Sequence, residues 1–98
     1  MSTEIQDIFN VLRKHLSDLK SNYDIHTLEV FGSYVREEHT SASDLDLLVS
    51  FNEEPGLIKF IELENRLSDL LGIKVDLVMK DSLRPETGKE ILSEALTV

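Results

Sequence analysis

GSYVREEHTSASDLDLLVSF, residues 32–51, decides how this chain reads. Its second half alternates. Asp44 and Asp46 fall on one face of a strand, while Leu45, Leu47 and Val49 take the other, because side chains along a strand point to opposite faces in turn. The apolar set can be buried. The two acids repel each other, and unpaired charge beside a packed sheet is costly. A divalent cation relieves that cost. Ligands that are all oxygen, with a short glycine turn a dozen residues earlier, suggest Mg²⁺ carrying a nucleotide phosphate.

The first half supplies that turn. Ile25 to Phe31 reads as a strand, with Leu28 and Val30 against Thr27 and Glu29, and it ends at Gly32-Ser33. Glycine lets a backbone approach a phosphate with no Cβ in the way. A short helix from Ser33 through Arg36 would add N–H donors and the Ser33 hydroxyl. Arg36, one turn on, could reach the same phosphates. Glu37 to Ser43 is a polar loop.

A third carboxylate lies further along. Lys74-Val75-Asp76-Leu77-Val78 belongs to a strand from Ile73 to Met79, with Val75 and Leu77 opposite Asp76. If this strand lies beside Asp44–Phe51, then Asp44, Asp46 and Asp76 form a three-acid cluster. Such a cluster can hold two metal ions about 3.5–4 Å apart and clamp an in-line phosphoryl displacement. Lys80, just past the strand, is a candidate phosphate contact.

Helices fill the rest. Thr3 and Gln6 make a capping box. Ile5, Ile8, Phe9, Leu12, Leu16 and Leu19 then repeat at helical spacing, so Glu4 to Lys20 is an amphipathic helix broken by Ser21-Asn22. Pro55 suits the first turn of a helix over Leu57–Leu71. That helix has Phe60, Ile61, Leu63, Leu67, Leu70 and Leu71 on a broad apolar face, and Gly72 suits its left-handed cap. Pro85 to Leu96 closes the chain as a helix, with Ile91, Leu92, Ala95 and Leu96 inward. The order α-β-(α)-β-α-β-α predicts an α+β fold, a small mixed sheet flanked by helices.

Composition narrows the classes. The 98 residues suit one domain over 1–98. With no cysteine, disulfides and thiolate metal sites are excluded. No apolar run reaches the length of a membrane span. The acidic MSTEIQDIF start lacks the order of a signal peptide, which reads as cytoplasmic. A formal charge of −9 argues against direct nucleic-acid binding, which needs a lysine and arginine footprint, and it favours a basic partner surface. His15, His26 and His39 do not form a metal cluster by spacing. His39 lies in the loop nearest the acids and reads as solvent-exposed. Tyr34 reads as packing.

GSYVR, SDLDLLV and KVDLV together resemble the minimal nucleotidyltransferases of the DNA polymerase beta superfamily. The likeness runs over nearly the whole chain, including the Leu-x-Pro and Ile-Leu-x-Glu-Ala pattern of DSLRPETGKEILSEALTV. It implies transfer of a nucleoside monophosphate from ATP, with Mg²⁺ and release of pyrophosphate. It implies Gly32 and Ser33 as triphosphate binders, and Asp44, Asp46 and Asp76 as metal ligands, with Asp76 helping to deprotonate the acceptor hydroxyl. Larger relatives carry an acceptor-binding domain that this chain lacks. Stand-alone members of this size are often antitoxins that adenylylate a tyrosine of a HEPN-type toxin, and such a partner would supply the acceptor. The chain departs from the pattern in two places. Glu37 stands where a glycine often follows the arginine, and the loop before Asp44 has no arginine. The competing functions are a nucleotidyltransferase for a small molecule such as an aminoglycoside, or for an RNA end, and a non-catalytic antitoxin that acts by contact. A small-molecule product from purified protein alone would favour the first, and protection by an Asp44→Asn/Asp46→Asn variant would favour the last.

Overall fold

The computed structural model describes residues 5–98; Thr3 of the expected capping box lies outside them. Helix α1 (Ile5–Tyr23) buries Ile8, Phe9, Leu12 and Leu19. It runs through Ser21-Asn22, where a break was expected, because Tyr23 still packs against the core. Asp24 ends it in the left-handed region at φ 56°, which a short polar side chain tolerates better than most. The Asp24 carbonyl and carboxylate then accept the backbone and side-chain N–H groups of Asn52, at 3.0 and 3.2 Å.

Strands β1 (Ile25–Phe31) and β2 (Leu45–Phe51) pair antiparallel. Helix α2 (Leu57–Leu71) follows and stops at Gly72, whose φ of 68° is the expected left-handed cap. Pro55 stands before that helix rather than in its first turn. Strand β3 (Val75–Met79) lies parallel to β2. After a 3-10 turn over Lys80–Ser82 come helix α3 (Pro85–Glu94) and strand β4 (Leu96–Thr97). Among the described residues the sheet has order β3-β2-β1-β4. The expected α+β class and mixed sheet are therefore present.

Strand β4 replaces the expected end of the last helix. Ala95 is already extended at ψ 135°, and Leu96 and Thr97 pair with Val30 and Glu29. Leu92 and Leu96, expected inward, are exposed. Ile61 of α2 is likewise exposed, while Leu63 and Leu67 carry that helix's packing.

One face of the sheet makes the core. Leu28 and Val30 of β1, Leu45, Leu47 and Val49 of β2, and Val75 and Leu77 of β3 pack with α1 and α2 in one apolar cluster. Helix α2 also closes the outer edge of β3. Ser68 Oγ accepts the Val75 N–H at 3.0 Å, and Glu64 Oε2 accepts the Leu77 N–H at 2.9 Å. Those groups would otherwise be an open pairing edge. By alternation the opposite face carries Glu29, Asp46, Ser50 and Asp76.

Candidate active site

The register brings the acids together. Asp46 pairs with Asp76 across parallel β2 and β3, so the two carboxylates project from the same face of neighbouring strands, whose backbones lie about 4.8 Å apart. Asp46 also faces Phe31 across β1, at the residue before Gly32. Gly32 has φ +83°, and a Cβ there would overlap the Asp46 carboxylate. The glycine is required twice over, by its own backbone and by the acid beside it. Burial pushes the Asp46 carboxyl above its ordinary value, the charges of Asp76 and Asp44 add to the rise, and Arg36 opposes it.

Asp44 departs from the expected cluster. Strand β2 begins at Leu45, so strand alternation does not fix the direction of Asp44. Its carboxylate lies 3.8 Å from Lys74 Nζ and is 44% exposed. Among the described residues no three acid or imidazole side chains converge on one ion-sized point. The arrangement is a pair, Asp46 and Asp76, with Asp44 at the strand entrance.

Residues 33–37 form successive turns rather than a helix. The Val35 and Arg36 N–H groups donate to the Gly32 carbonyl at 3.0 and 3.2 Å, and the Glu38 N–H donates to the Ser33 carbonyl at 2.9 Å. The N–H groups of Ser33 and Tyr34 have no acceptor among the described residues. Successive free N–H groups in a turn form an anion-binding concavity. The turn thus retains the donors expected of a helix start. Glu37 sits at φ 59° in this loop, where a β-carbon is strained. Tyr34 is buried, as expected of packing, and His39 stacks on its ring with centroids 4.0 Å apart. His39 is therefore half-buried, against the expectation of a solvated loop residue.

Glu94 was missed by the sequence reading. Its Oε1 accepts the Gly32 N–H at 3.0 Å, and both its oxygens accept from Arg36 Nη1 at 3.0 Å. Arg36 Nε donates to Glu38 at 3.1 Å. These bonds, that of Glu38 foremost, raise the already high pKa of Arg36. The only signal in the sequence was the Ile-Leu-x-Glu-Ala pattern, and nothing local tied it to Gly32, 62 residues away.

The Lys80 side chain pairs with Glu29, on the same face as Asp46 and Asp76. Its backbone lies four residues beyond Asp76, about 13 Å along the strand direction. Its Nζ is 3.6 Å from Glu29 Oε2, an oxygen with no hydrogen-bond partner among the described residues.

The match to known proteins covers the same elements. The nucleotidyltransferase domain family matches residues 12–98. This chain belongs to that family. A Methanocaldococcus jannaschii relative named "putative protein adenylyltransferase" is 49% identical to this nucleotidyltransferase over 92 residues, 94% of each chain. The protein adenylyltransferase MntA of Thermococcus cleftensis is 46% identical, over 96% of this chain and 95% of its own. A solved "putative minimal nucleotidyltransferase" superposes with a TM-score of 0.81 at 32% identity, covering 98% and 97% of the two chains. A more distant likeness shows the fold alone. It is to a structure of tri-AMPylated Shewanella oneidensis HEPN toxin in complex with MNT antitoxin, with TM-score 0.66 and 21% identity, over 92% of this chain and 70% of the other. The nucleotidyltransferase is thus a minimal member of its family. No helix among its described residues is long and apolar enough to cross a membrane.

Proposed function

We propose that this nucleotidyltransferase moves AMP from Mg²⁺-bound ATP to a tyrosine of a HEPN-type toxin, as the antitoxin of that pair. The observation that carries the reading is the in-register pair of Asp46 and Asp76 beside the Gly32 turn. The similarity to the adenylyltransferase of Thermococcus and to the antitoxin bound to an AMPylated toxin supports the acceptor class.

The donor set fits Mg²⁺: two like-charged carboxylates on one face, Asp46 part-buried and Asp76 exposed, with a third at the strand entrance. Bound there, Mg²⁺ supplies charge neutralisation of the triphosphate and a lowered pKa for the attacking hydroxyl. Asp46 and Asp76 would hold it, with Asp44 as a third carboxylate at the strand entrance. The N–H groups of Ser33 and Tyr34 and the Ser33 hydroxyl receive the terminal phosphates, with Arg36 beside them. Asp76, the more exposed acid of the pair, takes the tyrosine proton. The tyrosine oxygen bonds to the α-phosphorus, the bond from that phosphorus to the bridging oxygen of the β-phosphate breaks, and pyrophosphate leaves. Lys80 has no part in this reading.

In the same reading the chain is one domain that works in the cytoplasm without binding nucleic acid itself. Its charge of −9 suits a basic partner. The test is co-expression with a HEPN-type partner followed by mass spectrometry of partner peptides. AMP on a tyrosine supports the proposal. An unmodified partner that is nonetheless neutralised points to an antitoxin acting by contact.

A further inference from the structure

We infer that Glu94 is the positioning residue of the nucleotide loop, holding the Gly32–Arg36 turn so that its free donors face the triphosphate. The inference rests on the nucleotide-binding reading above and adds to it a residue from the far end of the chain. Three observations carry it. Glu94 bonds both ends of the turn, the Gly32 N–H and the Arg36 guanidinium, each at 3.0 Å. Its side chain is only 25% exposed and its bond to the Gly32 N–H is part-buried, while its pair with Arg36 lies at the surface. The turn starts at one positive-φ residue, Gly32, and is followed directly by another, Glu37, so it is a strained segment that a contact from outside helps to hold in one shape.

The contact also sorts the donors. The Gly32 N–H is taken, so it is not free for phosphate. The N–H groups of Ser33 and Tyr34 are left, and so is the second terminal nitrogen of Arg36, which has no partner among the described residues. A guanidinium pinned through Nη1 by Glu94 and through Nε by Glu38 presents its remaining nitrogen in a fixed direction, because its fork is planar. Glu94 ends α3, and β4 follows it directly onto β1. The carboxylate is thus fixed by the same sheet that carries Gly32. A preorganised donor set holds an anion better than one that must be ordered on binding.

The opposite possibility is that Glu94 merely blocks the site as a resident anion. The two differ in sign. Purified full-length chain is titrated calorimetrically with ATP and, separately, with AMP, both with Mg²⁺. Wild type is expected to prefer ATP. Glu94→Ala weakens ATP by about tenfold, the worth of one charge-assisted hydrogen bond, and leaves AMP unchanged. Glu94→Gln keeps an acceptor for the Gly32 N–H without the charge, so it falls between the two and still decides the matter if the alanine variant does not fold. Tighter or unchanged ATP binding in Glu94→Gln overturns the inference, and so does an equal loss for ATP and AMP, which marks a merely structural role. If wild type binds neither nucleotide, the nucleotide reading itself fails, and this inference falls with it.

Discussion

A methyl group at Gly32 would meet the Asp46 carboxylate and hold the backbone at φ +83°, where a side chain costs about 1–2 kcal/mol. Gly32→Ala is therefore expected to lower stability by at least about that much and to displace Asp46, reducing nucleotidyl transfer by about 100-fold or more, as loss of a transition-state contact does. Thermal unfolding and a transfer assay check the two effects. Glu37 shows the reverse case. It occupies φ 59° without glycine's freedom, so Glu37→Gly should raise stability by about 0.5 kcal/mol, relief of backbone strain exceeding the added entropy of the unfolded chain. A rise of a few degrees in Tm is the readout. A charged Asp46 costs the fold stability. Its carboxyl lies above the ordinary value when folded, so the folded state favours the proton, and stability falls as pH rises from the unfolded value through the folded one. Asp46→Asn, in chelator, should raise Tm at neutral pH. The gain should vanish below about pH 3, where the acid is protonated in both states.

Strand β3 is an edge strand whose outward N–H groups end on α2 rather than on another strand. Glu64→Ala leaves the Leu77 N–H without an acceptor and should cost about 1–3 kcal/mol, measured by urea unfolding. An unchanged midpoint would show that water serves that edge equally well. The elements with strong periodicity were legible in the sequence: α1, α2, β1 and β2 follow from the spacing of Ile8, Leu12, Leu63, Leu67, Leu28 and Leu47. The elements that were misread lack such a pattern. Residues 33–37 are too short to distinguish a helix from turns. Strand β4 has two residues, and only its pairing with Val30 and Glu29 makes it a strand. Within the site, Asp46 and Asp76 could be placed on one face because strand periodicity is rigid. Asp44 could not, because it lies one residue outside the strand. Lys80 looks close to the acids in sequence; parallel pairing carries its backbone beyond them, and its ammonium pairs with Glu29 on their face. Lys80→Ala should lower stability by about 1 kcal/mol, by leaving Glu29 unpaired, and spare nucleotide binding.

Across the molecule, charge and topology act together. The sheet leaves one face to the core and aligns on the other the C-terminal end of β1, the start of β2 and the start of β3, so that a glycine turn and two acids meet. The chain's formal charge of −9 would slow approach to any acidic surface and speed approach to a basic one, so association with the partner should weaken as salt is raised. The measurement that bears most directly on this account is transfer of label from the α-phosphate of ATP to protein in host lysate with Mg²⁺, comparing wild type with Asp46→Asn and Asp76→Asn. The account predicts one labelled protein with wild type, none with either variant and none when the label is on the γ-phosphate. Undiminished labelling by the folded Asp46→Asn and Asp76→Asn variants, or label arriving from the γ-phosphate, would contradict it.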